Sequence, residues 1–367
     1  MQKKEWKKRL GLSVIALLLG CACFAVNAAA EKPYAGQSIT VTCWTSGFAE
    51  KLEPVIADFE ERTGGTVQIL PAWGGFFAKI KVSPKDQPPW DVIMCDPMEY
   101  SVLRNADFLL PIRDENVPNM ENIFPAVRDM DYMDGYGVIV GGEGTIPLYQ
   151  PEVMDFTPTS WKDFLRPELK GEVTYSKSYW VETLYQAAFM MDDEPGAEEI
   201  YSDLDGVYAK AAELARHSKV AYSSGDQIRS MIKEGELAMG PYYSATVASG
   251  KKEGLYDGYL PVEGFTGYVA ILGVVRGTQH RDLAEAWINE FLTKEAQIAE
   301  IESGGGCPVI ELDEPAWIFE EGFQELMLTS NEAWANLFIP DYSYFREDWE
   351  KLESRYKKEV VSQTGRN

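Results

Sequence analysis

Three short β-branched or apolar runs, each followed by a helix-patterned stretch, open the body of this chain, and that alternation restricts it to an α/β fold. The first run is Ser38-Ile39-Thr40-Val41-Thr42-Cys43, ending in the loop Trp44-Thr45-Ser46-Gly47-Phe48. Behind it, Leu52, Val55, Ile56 and Phe59 fall on one helical face between Ala49 and Thr63, and Gly64-Gly65 supplies a C-terminal stop. Thr66 to Leu70 reads as a second strand, and Gly74-Gly75 precedes a short helical run from Phe76 to Val82. Pro88-Pro89 breaks the chain before a third strand, Trp90 to Cys95, after which Asp96-Pro97 opens a helix with Asp as N-cap and Pro at its first position. Such alternation predicts a parallel, doubly wound sheet. Open sheets of this kind bind ligands at the carboxyl ends of their strands, where Trp44-Thr45-Ser46 lies. That loop offers a ring, two hydroxyls and backbone N–H groups, but no nucleophile–base pair. It is built to hold something.

At 367 residues the chain is long for one core and fits two domains. The N-terminus reads as a leader: Lys3, Lys4, Lys7, Lys8 and Arg9 form a cationic start, Leu10 to Val26 an apolar stretch, and Ala28-Ala29-Ala30 a cleavage site. Residues 1–30 are therefore expected to be a signal peptide, and the protein periplasmic. Leu18-Leu19-Gly20-Cys21 also resembles a lipobox, which would make Cys21 a lipidated anchor; simple secretion is preferred. The leader removes five basic residues and one acid, which takes the net charge from −24 to −28. So acidic a body argues against nucleic acid and anionic membranes as partners. Of five cysteines, Cys43, Cys95 and Cys307 follow the leader, so at most one intramolecular disulfide forms. Cys43 and Cys95 end neighbouring strands and either pair or stay as small buried hydrophobes. Without a Cys-x-x-Cys or Cys/His cluster, no metal and no cofactor are expected.

Farther along, Tyr136 to Tyr149 is extended and broken by glycines, with no helix directly behind it, as suits a strand crossing between lobes. Helical patterns span Tyr179 to Met191, Gly196 to Arg216 and Gly225 to Gly235, the last leading into Leu237-Ala238-Met239-Gly240 and Pro241-Tyr242-Tyr243-Ser244. Tyr259 to Val275 reads as the return crossing, Asp282 to Thr293 as an amphipathic helix, and the remainder as helical and acidic to about Tyr356.

Several of these stretches carry a resemblance. The run Pro158-Thr159-Ser160-Trp161-Lys162-Asp163-Phe164-Leu165 followed by Pro167, Lys170-Gly171 and Val173 is similar to a second-lobe signature of ABC-transporter solute-binding proteins, among them the spermidine/putrescine-binding and ferric-iron-binding groups. Gly235-Glu236-Leu237-Ala238-Met239, and Pro261 to Val275 with Ala284 to Leu292 behind it, resemble further stretches of the same family in the same order. The resemblance implies a periplasmic-binding-protein type II fold: two α/β lobes, a hinge of crossing strands and a central ligand cleft. On that pattern lobe 1 comprises 31–142 and 266–310, lobe 2 comprises 143–265, and 311–367 are C-terminal helices packing on the lobes. It implies a binding protein, expected as a monomer, that delivers a small solute to an ABC permease in the inner membrane.

In polyamine binders aromatic rings stack on the methylene chain and carboxylates take the ammonium groups. Trp44 falls at that group's first-loop Trp, and Tyr268 at its return-strand Trp; the acid two residues later is Ala270 here, and the Ser-x-Tyr after the third strand reads Asp96-Pro97-Met98. Tyr242-Tyr243 invites comparison with the paired tyrosines of ferric binders at shorter spacing. A small cationic or amine-bearing solute is the leading expectation, with ferric iron, thiamine and aminophosphonates as alternatives.

Each candidate site residue has a structural alternative. Trp44 is a cleft aromatic or a core plug, while Thr45 and Ser46 donate to ligand or cap the next helix. Asp96 is foremost a cap at the cleft edge. Glu143, between Gly142 and Gly144, points into or beside the hinge. Tyr175, Ser176, Tyr179, Trp180 and Glu182 follow a second-lobe strand, so some face the cleft and others pack. Tyr242 and Tyr243 cannot face the same way if extended, and Glu263 and Tyr268 flank the return crossing. A secreted two-lobe hydrolase is the rival class. It would need a catalytic constellation, yet the chain has two histidines, His217 and His280, and no Gly-x-Ser-x-Gly elbow.

Overall fold

The computed structural model describes residues 32–72, 74–191, 197–304 and 306–366; the leader and Cys21 lie outside them. Strand β1 (Ser38–Cys43) is followed by α1 (Ser46–Thr63), β2 (Thr66–Pro71), α2 (Phe76–Val82), β3 (Val92–Cys95) and α3 (Pro97–Asn105). β1 pairs in parallel with β2 on one side and β3 on the other, which is the doubly wound half that the strand–helix alternation predicts. Each helix start is written locally. Thr45 accepts from the Phe48 N–H at 3.2 Å and Asp96 from the Glu99 N–H at 2.7 Å, with Pro97 next in line. Gly64 ends α1 at φ +77°, a conformation that costs other residues about 1 kcal/mol or more.

The chain then crosses once along β4 (Gly137–Tyr149), thirteen residues of which all but Tyr149 are buried. It builds β5 (Thr174–Ser176), α4 (Trp180–Phe189), α5 (Leu204–His217), β6 (Val220–Tyr222), α6 (Gly225–Lys233), β7 (Met239–Tyr243), α7 (Ser244–Lys252) and the short β8 (Asp257–Gly258). It returns along β9 (Thr266–Val274) to α8 (Arg281–Phe291) and α9 (Lys294–Glu302). The large sheet runs β2-β1-β3-β9-β4-β7, with β8 on the edge of β4, so two long antiparallel crossing strands tie the β1–β3 half to β7. β5 and β6 form a separate parallel pair, linked to β7 through a Val173–Met239 bridge.

Two buried clusters follow this division. The first spans the β1–β3 half, the crossing strands and the inner faces of α6 and α7. The second is centred on Trp161, Tyr175, Tyr185 and Tyr208 and takes in Phe345, Leu352 and Tyr356 from the C-terminal region. That region differs from the sequence expectation of continuous helix. Between Ser303 and Pro340 its described residues run through short 3₁₀ turns, extended links and one five-residue helix, Asn331–Ala335, and only Trp349–Glu359 (α10) makes a longer helix. Tertiary pairing explains the difference: Cys307 donates its N–H to the Gly142 carbonyl at 2.7 Å, and Gly267 donates to Phe338 at 3.0 Å. The segment thus edges both crossing strands. The pattern Gly196–Arg216 is likewise broken at Asp203, which caps α5 by accepting from the Gly206 N–H.

Candidate functional site

Register decides which side chains meet at the crossing. Glu143 lies directly opposite Tyr268, and Thr145 opposite both Tyr243 and Thr266. Direct partners in an antiparallel pair share a face, so Glu143, Thr145, Tyr243, Thr266 and Tyr268 emerge on one side of the sheet. Tyr268 meets the Trp44 ring edge-on at 5.5 Å between centroids, and Tyr243 packs on Tyr268 at 4.9 Å. Tyr179, at the start of α4, continues the row against Tyr243 at 5.9 Å. Four rings from β1, β9, β7 and α4 thus form one continuous aromatic wall.

Carboxyls accompany it. Glu143 is 2% exposed and accepts from the Ala245 N–H at 2.9 Å and the Tyr268 hydroxyl at 3.1 Å. Burial outweighs those two bonds and pushes its carboxyl up to about 8. Glu182, in the first turn of α4, accepts from the Thr145 hydroxyl at 3.1 Å and is pushed up to about 7 by burial. Asp96 is raised by the same cause. Among the described residues no Lys or Arg nitrogen pairs with any of the three.

A cavity of about 200 Å³ lies between Asp96 and Met98 on one side and Ser178 to Glu182 on the other, with Tyr342 and Trp349 completing its lining. A larger cavity, about 650 Å³, is lined by α6, α7 and residues 301–304. Two of its basic groups are matched by acids, Arg229 to Asp226 at 2.5 Å and Lys51 to Glu302 at 3.6 Å, and none of the four wall aromatics lines it.

The structure brings together Trp44, Asp96, Tyr179, Tyr243 and Tyr268, with Glu143 behind Tyr268. It turns others away. Tyr175 is fully buried, its hydroxyl 2.7 Å from the Thr364 hydroxyl, because a three-residue strand gives it to the second core. Trp180 packs against Phe345 and Trp349, with ring centroids at 5.5 and 4.7 Å, and also lines the small cavity. Glu263 is buried, accepting from the Ser160 hydroxyl and from the Trp161 N–H at 3.2 Å, and so ties the return loop to the Ser160-Trp161 turn. Tyr242 lies against α6, with Arg229 5.7 Å from its ring, so the two adjacent tyrosines divide as strand alternation requires. Thr45 spends its oxygen on the cap, and Ser46 is exposed. His217 contacts the Arg166 carbonyl at 2.8 Å, away from any cleft serine. Cys43, Cys95 and Cys307 are unbridged and buried. Tyr342 and Trp349 carried no sequence signal; they arrive only because the C-terminal segment folds back.

Two α/β halves joined by long antiparallel crossing strands, with an aromatic and acidic wall beside the crossing, define a two-lobe fold of the periplasmic-binding type. The comparisons agree. Residues 55–312 match the bacterial extracellular solute-binding protein family, and the chain belongs to it. Its fold is shared by the spermidine/putrescine ABC transporter substrate-binding protein PotD from Streptococcus pneumoniae, at 16% identity and TM-score 0.73 over 89% of this chain and 99% of that one. An ABC transporter substrate-binding protein from Bradyrhizobium japonicum matches at 17% identity and TM-score 0.72, over 88% and 99%. The fructose-6-phosphate-bound AfuA from Actinobacillus pleuropneumoniae does so at 17% and 0.64, over 89% and 99%. No curated protein matches the sequence.

Proposed function

We propose that this protein captures a small cationic or amine-bearing solute in the cleft beside the crossing strands and delivers it to an ABC permease, acting in the periplasm after loss of its leader. The observation that carries this reading is the pairing of a four-ring aromatic wall with carboxyls that have no salt-bridge partner among the described residues. Aromatic faces attract cations by about 0.5–2 kcal/mol each, more as water is excluded. Buried carboxyls held above their ordinary range regain their charge when a cation arrives. An anionic solute would meet the same carboxyls unfavourably.

Trp44, Tyr179, Tyr243 and Tyr268 are the proposed stacking surface, and Asp96 and Glu182 the charge partners. Glu143 acts from behind by holding the Tyr268 hydroxyl. Isothermal calorimetry of the mature protein against polyamines, small amines, thiamine, ferric ion and aminophosphonates tests the reading. Binding of at least one organic cation, weakened at acid pH, is expected; a protein that binds only anions, or ferric ion alone, overturns it.

A further inference from the structure

The C-terminal region is where the site departs from a simple two-jaw clamp. Tyr342 and Trp349 line the cavity of about 200 Å³ together with Asp96 and Met98 from the end of β3 and Ser178 to Glu182 from the start of α4. The same two aromatics also line an outer, more apolar groove of about 370 Å³ along α3, so their rings form the partition between that groove and the inner cavity. Phe345 fixes the segment by packing on Trp180 and Tyr185 at 5.5 and 6.3 Å. Three stretches far apart in sequence therefore close one small chamber.

Its chemistry is specific. Four aromatic side chains, Tyr179, Trp180, Tyr342 and Trp349, surround two carboxyls, and the lining includes no basic side chain. Asp96 and Glu182 each sit at a helix start, and two helix starts contribute roughly half a positive charge apiece. When both carboxyls are ionised, about one negative charge is left over, which a single ammonium group neutralises. The Trp180 indole N–H is buried and without a hydrogen-bond partner among the described residues.

We propose that this chamber is the subsite for the ammonium head of the solute, and that Tyr342, supplied by the C-terminal segment, is a specificity-determining residue. The proposal rests on the cationic-solute reading above and adds a location and a residue to it. Asp96→Asn keeps the helix cap while removing the charge, and Tyr342→Phe keeps the ring.

The test is calorimetry of the full mature chain and of Tyr342→Ala, Tyr342→Phe and Asp96→Asn with three probes: ethanolamine, choline and 1,4-diaminobutane. A neutral isostere of choline, 3,3-dimethylbutanol, serves as the charge control. Whichever probe the wild type binds is expected to bind about tenfold more weakly to Tyr342→Ala and to Asp96→Asn, and within about threefold of wild type to Tyr342→Phe. The isostere is expected not to bind. Thermal unfolding of each variant separates local loss from misfolding, and Tyr342→Phe retains a folded comparison in any case. Wild-type binding that Tyr342→Ala and Asp96→Asn leave unchanged overturns the chamber while the cationic-solute reading stands. A wild type that binds no organic cation overturns both.

Discussion

The buried carboxyl of Glu143 makes stability depend on pH in a direction opposite to that of a surface acid. Its ordinary value of 4.5 rises to about 8 in the fold because only 2% of the residue is exposed. Between those values the folded protein holds a proton that the unfolded chain has released. The stability contributed is complete below the unfolded value and is lost as pH rises through the folded one. Each pH step inside that window removes about 1.4 kcal/mol, so the wild type loses about 2 kcal/mol between about pH 6 and pH 8, and close to 5 kcal/mol in all. Glu143→Gln cannot ionise, yet its amide oxygen can still accept from the Ala245 N–H while its NH2 donates to the Tyr268 hydroxyl oxygen. Taking the difference between the two proteins cancels Glu182, which is raised as well. Urea unfolding at closely spaced pH values is the assay. Glu143→Gln should gain on the wild type steadily as pH rises, crossing from the less stable to the more stable protein near neutrality. A difference that is flat across the window, or that favours the wild type increasingly at high pH, would refute the assignment of a buried proton to this side chain.

Other consequences can be checked more simply. Trp44→Ala removes the ring at one end of the wall and is expected to weaken cation binding about tenfold, measured by calorimetry, and to lower the unfolding midpoint in thermal melts because the ring also packs on the core. Tyr175→Phe, by contrast, breaks only the contact with Thr364; it should cost about 1 kcal/mol in denaturant unfolding and leave solute affinity unchanged. Burial pushes the Cys43 thiol up to about 11 and the Cys95 thiol well above its usual range, so Ellman's reagent should label the mature protein only after unfolding.

Local chemistry was readable in advance. The caps at Thr45 and Asp96, the stop at Gly64 and the start of α6 at Ser224 depend on a few adjacent residues, and they lie where those residues place them. Trp44 was placed on the first strand-end loop by its position, and Tyr268 on the return crossing by the resemblance, and both lie there. What could not be read was the choice of face in short elements. β5 has three residues, and whether Tyr175 points to the cleft or the core is settled by Thr364, nearly two hundred residues away. Glu263 was decided by the Ser160-Trp161 turn, and Trp180 by α10. The C-terminal segment reads as helix to about Tyr356, and that reading could not locate Tyr342, because much of the segment is held by edge pairing to the crossing strands instead of by a pattern of its own.

The glycines of β4 mark it as a strand crossing between lobes, and the space around them assigns two of them a packing role. A Cβ on Gly141 would lie 2.1 Å from a carboxyl oxygen of Glu300, and one on Gly142 would lie 2.5 Å from the Tyr268 carbonyl. Gly141 pairs directly with Ala270, the position where polyamine binders would carry an acid. The small residues at 141 and 270 thus leave room for a carboxyl brought from α9. Glu300 is fully buried, both its oxygens lack hydrogen-bond partners among the described residues, and burial with the nearby Glu143 raises it well above the ordinary range. Gly141→Ala therefore has to displace a carboxyl that has nowhere else to go, and should destabilise the protein by about 2–4 kcal/mol, several times the few tenths expected of a glycine replaced where space is open. Glu300→Ala alone relieves an unpartnered buried acid but leaves a void, so its own effect is small. The decisive measurement is the pair: Gly141→Ala in the Glu300→Ala background should cost less than about 1 kcal/mol, a coupling of at least 1 kcal/mol. If the two changes add independently, the glycines serve backbone freedom after all, and Glu300 does not occupy the space beside Ala270.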